Sequence, residues 1–185
     1  MAGRPRSFDR DTALAVAVEQ FWRGGYDRTS VATLTDAMGV TPPSLYAAFG
    51  DKHRLFEEAS ALYFERTLEA VDAATALPSV HDAIARILDD TARAHTAPET
   101  PLGCLMLTEP RLDAQREVLR ARLRDRLERG VREGDLPATT DPAQLASYLV
   151  AVLRGMSGCA RDGGTTEDLL GIARAAVAAL PPRGA

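Results

Sequence analysis

The chain is poor in several residue types, and each shortage excludes something. Cysteine occurs only at Cys104 and Cys159 in 185 residues. Two thiols cannot build the disulfide framework of a small secreted domain, so a reducing, cytoplasmic setting is expected. The opening stretch MAGRPRSFDRDTAL carries charges and no apolar run, so it does not read as a secretory signal. No apolar run is long enough to cross a bilayer, and Arg154 and Arg174 interrupt the best candidates, so no membrane partner is expected. Histidine is confined to His53, His81 and His95, too far apart for a ligand cluster within one helix and with no cysteine at metal spacing. Neither a metal nor a cofactor is expected. There is no glycine-rich phosphate loop and no nucleophile motif, which leaves an enzyme without its chemistry. Lysine is the rarest cation: in an arginine-rich chain it occurs once, at Lys52.

Apolar residues make up 45% of the chain and charged residues 26%, the balance of a soluble globular protein. A formal net charge of -4 argues against wholesale binding of polyanions. Any nucleic-acid contact must come from a local patch. Alanine, the best helix former, is abundant, and no strand alternation or fixed repeat is visible, so the chain is expected to be all-α. Asp9 is placed to cap a first helix through Leu14, Ala17, Val18, Phe21 and Trp22, which Gly24-Gly25 ends. Ser30 offers the next cap, before a short helix lined by Val31, Leu34 and Met38 and stopped by Gly39. Thr41 opens a third, with Pro42 at a position where a missing N–H is harmless. About six further helices are expected. One runs from Lys52 to about Ala74, one opens at Pro78-Ser79, and a short one lies in PLGCLMLTEP. Asp113 is placed to cap the next, Asp141-Pro142 starts another, and a capping box at Thr165–Asp168 begins the last.

Two short helices pivoting on a glycine are the parts of a helix-turn-helix. Leu34, Met38, Val40 and Leu45 are spaced to form its small core. The start of the third helix, Thr41 to Ser44, then faces outward and would present free N–H groups and a positive dipole to phosphate or a groove edge. Thr41, Pro43, Ser44 and Ala47 line the expected groove face. None of them is a bidentate donor, so hydroxyls, thymine-methyl contacts and DNA shape would share the reading.

The stretch GRPRSFDRDTALAVAVEQFWRGGYDRTSVATLTDAMGVTPPSLYAAFGDKHRLF, residues 3–56, resembles the N-terminal DNA-binding domain of the TetR family of bacterial transcriptional regulators. The spacing TSV…AMGV…SLY..F..K..LF carries the likeness. Two positions depart from it: Thr35 stands where the family usually has Ala, and Ala48 where many members have His. A Thr35 hydroxyl between helices would need a backbone carbonyl as acceptor. The resemblance implies a DNA-binding domain over residues 1–50, with 1–8 a flexible basic arm, and an effector-binding and dimerisation domain over 51–185. It implies a homodimeric repressor whose third helices enter the major groove of a palindromic double-stranded operator and which a small-molecule effector releases. Tyr46 and Lys52 match the family's phosphate contacts. Thr29 and Ser30 would hold another phosphate, and Arg4 and Arg6 would reach into the flanking minor groove.

For the second half, the resemblance places an effector cavity between helices and the dimer contact on the last two helices, whose Ala146, Ala151, Gly155, Ala173, Ala175, Ala176 and Ala178 permit close packing. Candidate lining residues are Leu62, Tyr63, Leu88, Met106, Leu107, Arg111, Tyr148, Val152 and Met156. An alternative is a thiol-based redox-sensing repressor on the same fold, using Cys104, which follows Gly103 near an expected helix start. RARLRDRLERGVRE reads as a solvent face laced with i,i+4 ion pairs, because Asp125, Glu128 and Glu133 neutralise its arginines.

Overall fold

The computed structural model describes residues 9–183, and among these every regular element is helical. Helix α1 spans Arg10–Arg28. It starts where the Asp9 carboxylate accepts the amides of Asp11 and Thr12, at 3.1 and 3.3 Å, and the Thr12 hydroxyl at 2.7 Å. The Thr12 hydroxyl is the main reason that this carboxyl titrates below its ordinary range. The regular helix ends earlier than the span suggests. Gly25, at φ 73° and ψ 173°, breaks it where the glycine pair predicts. Helices α2 (Val31–Met38) and α3 (Pro42–Phe49) follow, then the long α4 (Lys52–Thr75).

The described residues fall into two compact units, one ending at Tyr63 and one beginning at Phe64, with α4 running from the first into the second. The expected boundary after residue 50 precedes this division. The start of α4 belongs to the first unit because Phe56 meets Phe21 edge-on at 5.1 Å and Tyr26 at 5.0 Å. Around that aromatic centre Ala17, Phe21, Leu34, Leu45, Leu55 and Ala59 are each fully buried. Each large apolar side chain there contributes about 1.5–3 kcal/mol. Arg10 ties three helices together. Its guanidinium lies 4.6 Å from the Phe49 ring centroid, Nη2 sits 2.5 Å from Glu58, and Nε donates to the Ala48 carbonyl at 3.4 Å.

The second unit contains α5 (Val80–His95), α6 (Leu105–Thr108), a 3-10 turn (Pro110–Leu112), α7 (Asp113–Arg132), α8 (Pro142–Arg161) and α9 (Thr166–Ala178). Helix α7 packs on α8 and α5 on α9. Ser79 and Asp141 cap α5 and α8 through their side chains, and the Thr165–Asp168 capping box forms in both directions. Asp113 does not cap α7. The 3-10 turn intervenes, Glu109 accepts the Arg111 amide at 3.1 Å, and Asp113 becomes the first residue of the helix instead.

The charged face expected on α7 is only partly exposed. Arg124 and Glu128 do pair across one turn at 3.5 Å. Arg126, however, is buried and donates to the carbonyls of Leu77 and Pro78 at 3.1 and 2.7 Å, while Arg129 donates to the Thr75 carbonyl at 2.6 Å. Asp135 accepts the Val80 amide. Helix α7 and the turn after it thus satisfy polar groups at the end of α4 and the start of α5 that would otherwise lack partners. No period-based reading reveals this, because the partners are main-chain groups around the α4–α5 connection.

Candidate nucleic-acid interface

Helices α2 and α3 form the expected helix-turn-helix. Ser30 accepts the Thr33 amide at 3.0 Å and so starts α2. Gly39 ends it in the left-handed region, at φ 66° and ψ 35°. Its amide reaches the Asp36 carbonyl at 3.3 Å and the Val40 amide reaches Thr35 at 3.0 Å, the paired closure of a Schellman turn. The chain therefore changes direction within two residues. Leu34 and Leu45, both 0% exposed, lock the two helices face to face. Thr35 is buried, and its hydroxyl donates to the Val31 and Ala32 carbonyls, both at 3.0 Å. The acceptor that a Thr needs at this position is present.

Burying Leu45 and Phe49 turns the opposite face of α3 to solvent. Thr41, Pro43, Ser44, Tyr46 and Ala47 are all exposed, and Tyr46 is the most exposed large apolar side chain described, at 46%. The start of α3 is a poorer amide donor than expected. Pro42 and Pro43 occupy its first two positions, so two of the usual orphan donors do not exist. Thr41 makes no side-chain cap bond. Its hydroxyl lies 3.0 Å from the Ser44 hydroxyl instead. The exposed face of α3 thus offers a hydroxyl pair, a proline ring and a methyl group.

Lys52, the first residue of α4, is half-buried with its ammonium 4.1 Å from the centroid of the Tyr26 ring. Asp51 just before it accepts the Arg54 amide at 2.9 Å, and that bond is the leading reason that its carboxyl titrates below the ordinary value. Ser30 is exposed beside the start of α2, but Thr29 is not. Thr29 is 2% exposed and donates its hydroxyl to the carbonyls of Gly25 at 2.6 Å and Gln20 at 3.2 Å. The Thr29 side chain, expected at a phosphate, here closes the broken end of α1. Arg4 and Arg6 lie outside the described residues. The residue that sequence reasoning missed is Tyr26. Nothing in local spacing links it to Lys52, so only the folded chain shows the pairing.

Residues 13–59 match the model of bacterial regulatory proteins of the tetR family, and residues 81–176 match the tetracyclin repressor-like C-terminal domain. The chain is 33% identical to the HTH-type transcriptional repressor ComR of Escherichia coli K12, over 92% of this chain and 88% of that protein. The chain belongs to the TetR family. It is 31% identical to the repressor BdcR of the same organism, over 96% of this chain and 92% of the other. A cysteine mutant of the TetR-family regulator CifR, solved with a 26-bp double-strand operator DNA, superposes with a TM-score of 0.91 at 40% identity, covering 97% of this chain and all of that one. As a TetR-family member, the chain is a DNA-binding transcriptional regulator and not an enzyme.

The residues expected to line an effector cavity in this TetR-family chain do not share one environment. Leu88, Met106, Leu107 and Met156 are core residues, each less than 5% exposed, where α6 and α5 pack on α8. Arg111 is exposed on the 3-10 turn, Val152 is half-buried, and Tyr148 is 39% exposed. Leu62 and Tyr63 are half-buried in the first unit, where Tyr63 meets Trp22 edge-on at 4.9 Å. An open groove of about 450 Å³ is lined by Thr139, Thr140, Asp141, Gln144, Leu145, Tyr148, Ala179 and Pro181. Of the expected set, only Tyr148 borders it. The periodicity that marks an apolar helix face cannot separate a side chain lining a cavity from one filling the core.

Cys104 is buried at 2% exposure, and its amide donates to the buried Ser157 hydroxyl at 2.8 Å. Cys159 is half-buried. His95 is buried nearby in sequence at the end of α5, with no hydrogen-bond partner for Nδ1. Burial first, then the charge of Arg161, pushes its imidazole down to about 4. Among the described residues no group of His, Cys, Asp and Glu could hold a metal ion, and no helix is long and apolar enough to cross a membrane.

Proposed function

We propose that the chain is a homodimeric, cytoplasmic repressor that binds a palindromic operator through α3 and is released by a small-molecule effector. One observation carries the reading: Thr41, Pro43, Ser44 and Ala47 are exposed together on α3, beside Tyr46 and Lys52. An eight-residue helix with a small, smooth outer face can enter a major groove closely. Tyr46 and Lys52 contact the flanking phosphates and Ser30 another. The ComR and BdcR names, which describe repressors, and the CifR complex with operator DNA support this assignment.

Dimerisation uses α8 and α9. Tyr148, Ala151, Gly155, Ile172 and Ala175 are exposed on these two helices. A Cβ placed on Gly155 or Gly158 would meet nothing within 4 Å, so that side of α8 leaves room for a second backbone. A two-fold dimer reads an inverted repeat, with half-sites one or more helical turns apart. Burial of Cys104 weighs against the thiol-based alternative, since an oxidant must reach a thiolate, and favours a ligand that shifts the population between two dimer geometries.

The test begins with selection of bound sequences from a random duplex pool, alongside light scattering for oligomeric state. An enriched inverted repeat and a dimeric mass are expected. A stable monomer, or no preference for inverted repeats, overturns the proposal. Replacing Tyr46 by Ala together with Lys52 by Gln should abolish binding to the selected duplex at physiological salt. Each lost phosphate contact lowers the salt dependence of log Kd by about 0.9.

A further inference from the structure

We infer that Tyr26 is the positioning residue for Lys52: its ring is a platform that holds the lone ammonium ready for a phosphate without neutralising it. The inference rests on the phosphate role proposed above for Lys52.

A lysine at the first position of a helix is an awkward choice. The positive end of the helix dipole disfavours a cation there. The carboxylate adjacent in sequence, Asp51, is engaged by the Arg54 amide, and among the described residues no carboxylate forms an ion pair with Lys52. What meets the ammonium is the face of Tyr26, 4.1 Å from the ring centroid. An aromatic face attracts a cation through its quadrupole and leaves the full charge in place. A carboxylate in the same position would compete with phosphate.

The ring is built into the unit. Gly25, at φ 73° and ψ 173°, interrupts α1 one residue earlier, so Tyr26 departs from the helical path. Phe56 at 5.0 Å and His53 at 6.1 Å meet Tyr26 edge-on, and Phe21 stacks at 6.3 Å. Three aromatic neighbours fix the platform, while the lysine stem whose ammonium meets it has four rotatable bonds. Restricting that stem before DNA arrives lowers the ordering cost at binding. Lys52 stays half-buried rather than enclosed, which leaves part of the side chain in reach of a phosphate.

Because the chain has one lysine, selective isotope labelling of lysine in the full-length protein gives one side-chain signal. An ammonium held over a ring moves the adjacent ε-methylene upfield by the ring current. That shift is expected in the wild type and in Tyr26→Phe, and is expected to vanish in Tyr26→Leu. Its absence from the wild type overturns the inference. Binding is read by anisotropy with a fluorescein-labelled duplex of mixed sequence. Tyr26→Leu should weaken binding about five-fold, the upper end for a partly exposed cation–π contact, and Tyr26→Phe should retain most of the affinity. In a Lys52→Gln background, Tyr26→Leu should have no further effect.

Equal losses in both backgrounds would mean that Tyr26 acts only through packing, and the positioning role falls while the phosphate role stands. If Lys52→Gln changes neither affinity nor salt dependence, the phosphate role falls first and the positioning role with it. Should Tyr26→Leu fail to fold by circular dichroism, Tyr26→Met supplies the ring-free variant, and the lysine signal of the wild type decides independently.

Discussion

Acid should destabilise this protein through one buried imidazole. His95 is 7% exposed, its Nδ1 has no hydrogen-bond partner, and Arg161 adds an unfavourable positive charge. Folding therefore lowers its proton affinity from 6.5 to about 4. Above pH 6.5 the imidazole is neutral in both states and costs nothing extra. As pH falls below 6.5, the unfolded chain takes up a proton that the folded chain refuses, and stability declines until about pH 4 is passed. At about 1.4 kcal/mol per unit, the full window removes about 3 kcal/mol, a large share of the stability of an ordinary domain. Urea unfolding followed by circular dichroism, at fixed protein concentration between pH 8 and about pH 4, measures it in the wild type and in His95→Gln. The variant cannot titrate at this position, so its stability should fall less steeply, and the two curves should diverge by about 3 kcal/mol across the window. Parallel curves would refute the reasoning, for they would place the acid sensitivity in the carboxylates that both proteins share.

Three further outcomes follow from the packing. Gly130→Ala should lower the thermal midpoint, at a cost of about 1–3 kcal/mol, although alanine is the better helix former: an added Cβ would overlap Val80 Cγ2 where α7 crosses α5. Thr35→Ala should be neutral or stabilise by a few tenths of a kcal/mol in the same scan, because the hydroxyl only back-bonds to carbonyls of its own helix; a loss above about 1 kcal/mol would show that it does more. A thiol reagent should label Cys159 well before Cys104 in the native state and both together in urea. Fast native labelling in a Cys159→Ser protein would reopen the thiol-sensing reading.

Local rules made much of the fold legible. Asp9, Ser30, Ser79, Asp141 and the Thr165–Asp168 box announce helix starts through bonds to amides two or three residues away, and such short-range contacts survive any tertiary context. The same rules overreached at Thr41, whose hydroxyl turned to Ser44, and at Asp113, where Pro110 introduced a 3-10 turn first. The exposed face of α3 could be read because burying Leu45 and Phe49 fixes the opposite side by helical geometry alone. The burial of Thr29 was not legible for the reverse reason. Its acceptors are carbonyls freed by the break at Gly25, and a hydroxyl in sequence looks the same whether it faces solvent or a chain end.

The sequence by itself determined an all-helical chain, the order of its helices and two short helices joined at a glycine ahead of one lysine, because caps, breakers and apolar period act over a few residues. Tertiary structure alone decided that Lys52 meets Tyr26, that Arg126 turns inward to the connection after α4, and that the expected cavity set divides between core and surface. These are contacts between residues far apart in the chain. Which one of several chemically suitable partners a side chain meets depends on where whole helices come to lie.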